Sequence, residues 1–187
     1  MSTFKKLAAC VLLLGSVGVV GTLAAQETRS IVTVVKTRGE TWFVRMAEGV
    51  QAFGEQTPGV TTNEIGPGKA DAALQETMIE DLIAKKVDAI AVVPFDPPML
   101  EGALKRAMDR GIKVVTHEAS NLKNTQVDME AFDNAEFGAH FDEQLAKCMG
   151  QSGKWTSFVG SLGSLTHVQW ANGGAENAKK YPSMTLV

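Results

Sequence analysis

His117 and Glu118 are adjacent, and a second imidazole follows at His167. An imidazole beside a carboxylate can exchange protons with a substrate. Acid–base catalysis, however, also needs a nucleophile, a metal or a cofactor to act on, and the sequence supplies none in a recognisable form. The three histidines, 117, 140 and 167, are scattered and lack metal-ligand spacing. His140 reads as a helix-surface residue. Cys148 lies in Leu145-Ala146-Lys147-Cys148-Met149 with no base next to it, and reads as a small apolar helix residue. Gly66-Pro67-Gly68-Lys69-Ala70 has a glycine and a lysine but neither the earlier glycine nor the following Ser or Thr of a phosphate loop. No Gly-x-Gly-x-x-Gly follows the first apolar run. The expectation is therefore a binding protein rather than an enzyme, with no cofactor and no metal.

The elements that must position these side chains follow from periodicity. Residues 31–35 are short, β-branched and continuously apolar, as a strand buried on both faces should be. Further strands are predicted at 60–65, 89–93, 112–116, 127–129 and 155–159. Helices are predicted at 42–53, 71–86, 99–110, 135–149 and 165–180. In the second helix Leu74, Met78 and Leu82 recur at helical spacing, with Ile79 and Ile83 beside them. Pro97-Pro98 opens the third helix and Gly111 stops it. Residues 184–187 read as the start of another strand, and a strand beginning at the last residue suggests a truncated reading frame or fragment. Alternating strands and helices with short turns predict an α/β fold, a mostly parallel sheet with helices on both faces. Such sheets bind ligands outside the carboxyl ends of their strands. That rule singles out residues 36–42, 94–97, 116–121 and 160–167.

The amino terminus reads as an export signal. Lys5 and Lys6 precede an apolar run from Leu7 to Val20, and Gly21-Thr22-Leu23-Ala24-Ala25 offers a small-residue cleavage site. Glycines interrupt the run, so it falls short of a secure membrane span. Residues 1–25 are thus expected to be a cleaved signal peptide, which places the mature protein in the periplasm. Cys10 would leave with it, so no intrachain disulfide is expected. The whole chain carries a formal net charge of −3, and loss of the two leader lysines makes it more acidic. An acidic chain with scattered charges is a poor match for nucleic acid, which calls for a basic stripe.

Residues 87–94, Val-Asp-Ala-Ile-Ala-Val-Val-Pro, followed by Ala103-Leu104-Lys105-Arg106-Ala107-Met108-Asp109-Arg110-Gly111-Ile112-Lys113-Val114-Val115-Thr116, resemble the ribose-type (type I) periplasmic sugar-binding proteins of ABC transporters. Val35-Lys36 followed by an aromatic, and Leu165-Thr166-His167-Val168-Gln169-Trp170, resemble the subgroup that binds rhamnose or autoinducer-2. The resemblance implies a two-lobed clamp that closes by a hinge on a small sugar or polyol. Residues 26–132 would form the first lobe, with a crossing near Asp133-Asn134, and 133–187 would begin an incomplete second lobe. The implied partners are a membrane permease and its ATPase subunit, and the implied state is a monomer. An exported sugar receptor for a chemotaxis or sensor protein is the alternative. A sugar-responsive repressor shares the fold, but a signal sequence stands where its DNA-binding helices would be.

Residue by residue, the resemblance places Lys36 after the first strand as a donor to ring or hydroxyl oxygens, and Glu118 after the fourth as an acceptor for adjacent hydroxyls. His117 flanks Glu118. An aromatic face suits the apolar face of a sugar ring, and of Trp42 and Phe43 one should serve the cleft and the other the core, with Trp42 preferred for the cleft. Phe95 and Asp96 are weaker candidates, since Asp96 could instead cap the following helix. Thr166 and His167 stand where autoinducer-2 binders present an acid and an amide, which points to another sugar or polyol. An unfinished second lobe would expose apolar surface, so weak binding and poor solubility are expected of these residues alone.

Overall fold

The computed structural model describes residues 28–187, so the signal-peptide expectation for 1–25 lies outside the described residues. The chain runs β1 (Arg29–Val34), α1 (Thr41–Gln56), β2 (Val60–Ile65), α2 (Ala72–Lys85), β3 (Ala89–Val92), α3 (Pro97–Asp109), β4 (Lys113–His117) and β5 (Val127–Met129). It continues through α4 (Asn134–Met149), β6 (Gly153–Trp155), α5 (Leu165–Ala178) and β7 (Met184–Leu186). The first five strands form one sheet in the order β2-β1-β3-β4-β5, and every pairing in it is parallel. After β2 the chain returns past β1 to lay down β3, so the strand order reverses between β1 and β3. That is the crevice where open α/β sheets take ligands.

Strand alternation sorts the core onto two faces. Val32 and Val34 of β1, with Ile90, Val92 and Val114, pack against Ile79, Leu82, Ile83, Leu100 and Leu104 of α2 and α3. The next residues along, Val35 and Val93, project the other way and meet Phe43 and Met46 of α1. Helices thus cover both faces. The buried face of α2 differs from the expected stripe. It consists of Ala72, Gln75, Ile79, Leu82 and Ile83, while Leu74 is 45% exposed.

Local signals set the helix ends. Asp71, Asp96 and Asp133 each accept a backbone N–H of the first turn, from Leu74, Met99 and Glu136. Pro97 occupies the first turn of α3. Gly150 closes α4 in the left-handed conformation at φ +64°.

The strand expected over 155–159 is shorter and displaced. β6 spans Gly153–Trp155 and pairs in parallel with β7 alone. Val187 N–H donates to the Trp155 carbonyl as the last rung of that ladder. Beyond it, residues 156–159 have no neighbouring strand among the described residues, and without a ladder their β-branched and aromatic composition cannot hold a strand. Phe158 is 91% exposed in consequence.

α4 and α5 cross at backbone contact. A Cβ at Gly138 would overlap the Trp170 carbonyl, and one at Gly173 would overlap that of Ala135. Gly138→Ala or Gly173→Ala should therefore force the helices apart and destabilise the protein by about 1–3 kcal/mol. Gly49→Ala on α1, where an added Cβ meets nothing within 4 Å, should instead stabilise by roughly 0.5–1 kcal/mol. Urea melts of the three variants check the contrast, and equal midpoints would show that the glycine contact is not structural.

Candidate functional site

The carboxyl ends of β1, β3 and β4 open into a cavity of about 540 Å³ whose lining includes Lys36, Thr37, Trp42, Phe95, His117 and Glu118 from the sheet side. Ser164, His167 and Trp170 close it from α5, and Glu130, Phe132 and Asn134 from the segment joining β5 to α4. This volume falls in the range of small-ligand sites, which span roughly 300–1,000 Å³.

Lys36 directly follows Val35 at the end of β1 and is only 7% exposed. A buried ammonium needs a partner. Its Nζ donates to Glu118 Oε2 at 2.5 Å and to Ser164 Oγ at 3.3 Å. Glu118 reaches this position from a left-handed backbone, φ +58°, a conformation that costs a non-glycine residue energy and collects at functional sites. The same Oε2 accepts Thr166 Oγ1–H at 3.3 Å. Ser164 is the N-cap of α5, yet its hydroxyl caps no N–H of that helix. It is turned to Lys36 instead.

His117 lies between the pair and the aromatic wall. Its Nδ1–H donates to the Met129 carbonyl at 2.5 Å, which leaves Nε2 3.8 Å from Glu118 Oε1. Its ring stacks on Trp42 at 6.4 Å between centroids and 19° between planes. Trp42 is 53% exposed and Phe43 4%. Trp42 therefore presents its ring at the cleft, while Phe43 is chiefly core and reaches the cavity only at its edge.

On the opposite wall His167 Nδ1 accepts the Gly160 N–H at 3.2 Å. Burial, then the nearby Lys36 ammonium, lower its pKa below the ordinary imidazole value of 6.5, against the weaker opposing effect of Glu118 and Glu40. The ring is neutral at pH 7 with its proton on Nε2. Trp170 packs on His167 at 5.2 Å and on Phe137 at 5.1 Å. Its indole N–H donates to Asn134 Oδ1 at 2.8 Å, and Asn134 Nδ2 donates to Glu130 Oε2 at 3.0 Å. Burial raises the pKa of Glu130 above the usual carboxylate value.

Of the residues singled out in the sequence, Lys36, Trp42, Phe43, Phe95, His117, Glu118 and His167 all line this one cavity. Two stand differently. Asp96 caps α3 through the Met99 N–H and is not among the lining residues. Thr166 is 1% exposed and supports Glu118 from behind. Sequence reasoning gave no site role to Ser164, though it lies in the singled-out segment 160–167, or to Glu130, Asn134 and Trp170, which come together only when α5 packs on α4. It also missed Gln75, which lies beneath the strand ends and is fully buried. The available signal was a polar residue four positions before Ile79 on an otherwise apolar helix face.

A second cavity of about 560 Å³ lies against α4 and α5 beside residues 155–160, lined by Phe137, Phe141, Leu145, Trp155, Phe158 and Trp170 among others. Its polar lining is Asp142, Thr156, Ser157 and His167, without an ammonium–carboxylate pair at the strand ends, so the first cavity, which holds Lys36 and Glu118, is the candidate site. Among the described residues no group of three or more His, Cys, Asp or Glu could hold a metal ion.

Comparison with known proteins finds relatives of this fold. The D-ribose/D-allose-binding protein of Pseudomonas aeruginosa is 25% identical over 170 residues, covering 86% of this chain and 53% of that protein. An ABC transporter solute-binding protein from Agrobacterium vitis, solved with bound D-fucose, is 28% identical with a TM-score of 0.75, over 84% of this chain and 56% of the other. One from Clostridium phytofermentas with bound L-rhamnose gives a TM-score of 0.79 at 24% identity, over 86% and 50%, a likeness of fold. The chain spans about half the length of these relatives. The sequence model of the periplasmic binding protein domain matches residues 31–187, and the chain belongs to that family.

Proposed function

We propose that this chain is the ligand-cradling part of an exported solute-binding protein. It would bind a small sugar reversibly, without chemical turnover, and hand it to a membrane permease and its ATPase subunit. The observation that carries the reading is the Lys36–Glu118 pair, set at the strand-order reversal between aromatic faces. A sugar hydroxyl can accept from the ammonium while its neighbour donates to the carboxylate. Trp42 on one side and Trp170 on the other offer faces for the C–H side of a pyranose or furanose ring. The relatives named for or solved with ribose, allose, fucose and rhamnose support a monosaccharide as the class. In this reading residues 26–132 make one lobe and residues from 133 onward belong to the other. The protein acts as a monomer in the periplasm, and the cleft lies between the lobes.

Isothermal titration against D-ribose, D-allose, D-fucose and L-rhamnose tests the proposal. At least one should bind, and Glu118→Gln should weaken that binding by roughly 10- to 100-fold, as expected for a lost charged hydrogen-bond partner of about 1.5–3 kcal/mol. Silence toward every monosaccharide tried would sink it.

The depressed His167 pKa sets a sign for pH. The folded state favours the neutral ring, so the unfolded chain takes up the proton first as pH falls. The stabilisation is complete above the unfolded value of about 6.5 and is lost as pH drops through the lower folded value. Between pH 7.5 and 5 the wild type should therefore lose more melting temperature than His167→Gln. Parallel pH profiles for the two proteins would refute the assignment.

A further inference from the structure

Gln75 is a fully buried polar side chain beneath the strand ends that carry the site, 0% exposed on α2. Its amide is fully used. Nε2 donates to the Val35 carbonyl at 3.0 Å and to the Val93 carbonyl at 3.0 Å, and Oε1 accepts the Phe95 N–H at 2.8 Å. These three groups belong to the two strands between which the sheet order reverses. Up to Val34 and Val92 the strands pair with each other in register. One residue further the ladder ends, because the backbone turns into the loops that carry the site. Val35 and Val93 are 0% and 1% exposed, so water cannot take over their carbonyls. Proline at 94 removes the N–H that would otherwise follow Val93.

The space around this junction is close. A Cβ at Gly66 would come within 2.7 Å of Val35 Cγ2 and 3.0 Å of the Val35 oxygen. Among the described residues only side-chain atoms of Gln75 satisfy these groups, and a glutamine alone among the uncharged long side chains has both two donors and an acceptor. The residues next to the anchored groups are Lys36, which follows Val35, and Phe95 itself. Both line the cleft.

We infer that Gln75 is a positioning residue of the sugar site: by tying the carboxyl ends of β1 and β3 together it sets where Lys36 and Phe95 stand in the cleft. This rests on the proposed sugar-binding function for its ligand readout and on the ion pair alone for its ligand-free readout. Gln75→Met keeps the volume and removes all three hydrogen bonds. Gln75→Glu, held protonated by burial beside two carbonyl oxygens, keeps the acceptor and one of the two donations, so it serves as the milder variant should the methionine one fail to fold.

In the folded variant the monosaccharide Kd should rise by about tenfold, the scale of one coupled contact. The same change made in a Lys36→Met background should cost much less, because the group being positioned is already gone. Equal losses in the two backgrounds, or an unchanged Kd with a lowered melting point, would overturn the inference and leave Gln75 a purely structural residue. The ligand-free arm is the 15N resonance of Lys36 Nζ, which reports its contact with Glu118. Gln75→Met should move it in the direction that Glu118→Gln does, and an unmoved resonance would also overturn the inference. If no monosaccharide binds the wild type while this resonance shifts, the sugar-binding proposal fails and the positioning role stands.

Discussion

A lysine held almost entirely out of water dictates much of what surrounds it. A charge buried at the end of β1 is costly unless it is paired, and a carboxylate and a hydroxyl come to Lys36 there. Glu118 does so from an unfavourable left-handed backbone, and Ser164 does so by giving up the usual task of a helix N-cap. Thr166 then fixes the same carboxylate oxygen from the other side. Each of these choices is locally costly. Together they form a network in which the charges are paired but not saturated. Glu118 Oε1 has only a distant imidazole, at 3.8 Å. A ligand hydroxyl meeting such a pair finds its donor and acceptor already oriented, which lowers the entropic cost of binding.

The sequence carried the sheet well because parallel strands buried on both faces have a plain signature. The runs 31–35, 60–65, 89–93 and 112–116 all became strands within a residue or two. Once the strands are placed, the carboxyl-end rule needs no side-chain geometry, and it gathers Lys36, Trp42, Phe95, His117, Glu118 and His167 in one place. The rule fails where a residue near a strand end serves its own helix, as Asp96 does. It is also silent about residues that reach the site from beneath. Gln75 sits in the first turn of α2, and periodicity can only register it as a polar interruption of the apolar face. Helical spacing placed Ile79, Leu82 and Ile83 on the buried face of α2, where they are, and erred at Leu74, which is 45% exposed while Gln75 is buried in the same turn.

The second wall was less legible for a different reason. Its residues come together through the α4–α5 crossing, and that contact is made by glycines, which leave no hydrophobic pattern to read. Gly138 and Gly173 let each helix approach the other's backbone. The segment 156–159 shows the complementary failure. Its composition is that of a strand, but β propensity expresses side-chain packing beside a neighbour, and none of the described strands lies on that edge of β6. Phe141, Phe158 and Leu162 are left at 61%, 91% and 85% exposure.

The two walls are nonetheless joined by a continuous set of bonds. Trp170 on α5 donates to Asn134 at the start of α4, and Asn134 donates to Glu130 just past β5. The neighbouring Met129 carbonyl accepts from His117, whose ring stacks on Trp42. Any rotation of α5 relative to the five-stranded sheet must therefore carry or break the Trp170–Asn134–Glu130 bonds as well as those of Lys36 with Ser164 and of Glu118 with Thr166. The first set runs through the connecting segment and the second directly across the cleft. Of the second, the Lys36–Ser164 bond joins two residues that line the cavity, while Thr166 holds Glu118 from behind. Under the proposed function a bound sugar would take the place of the Lys36–Ser164 contact and leave the connecting bonds intact, as a hinged clamp requires: a permanent joint at one side and an exchangeable one at the mouth.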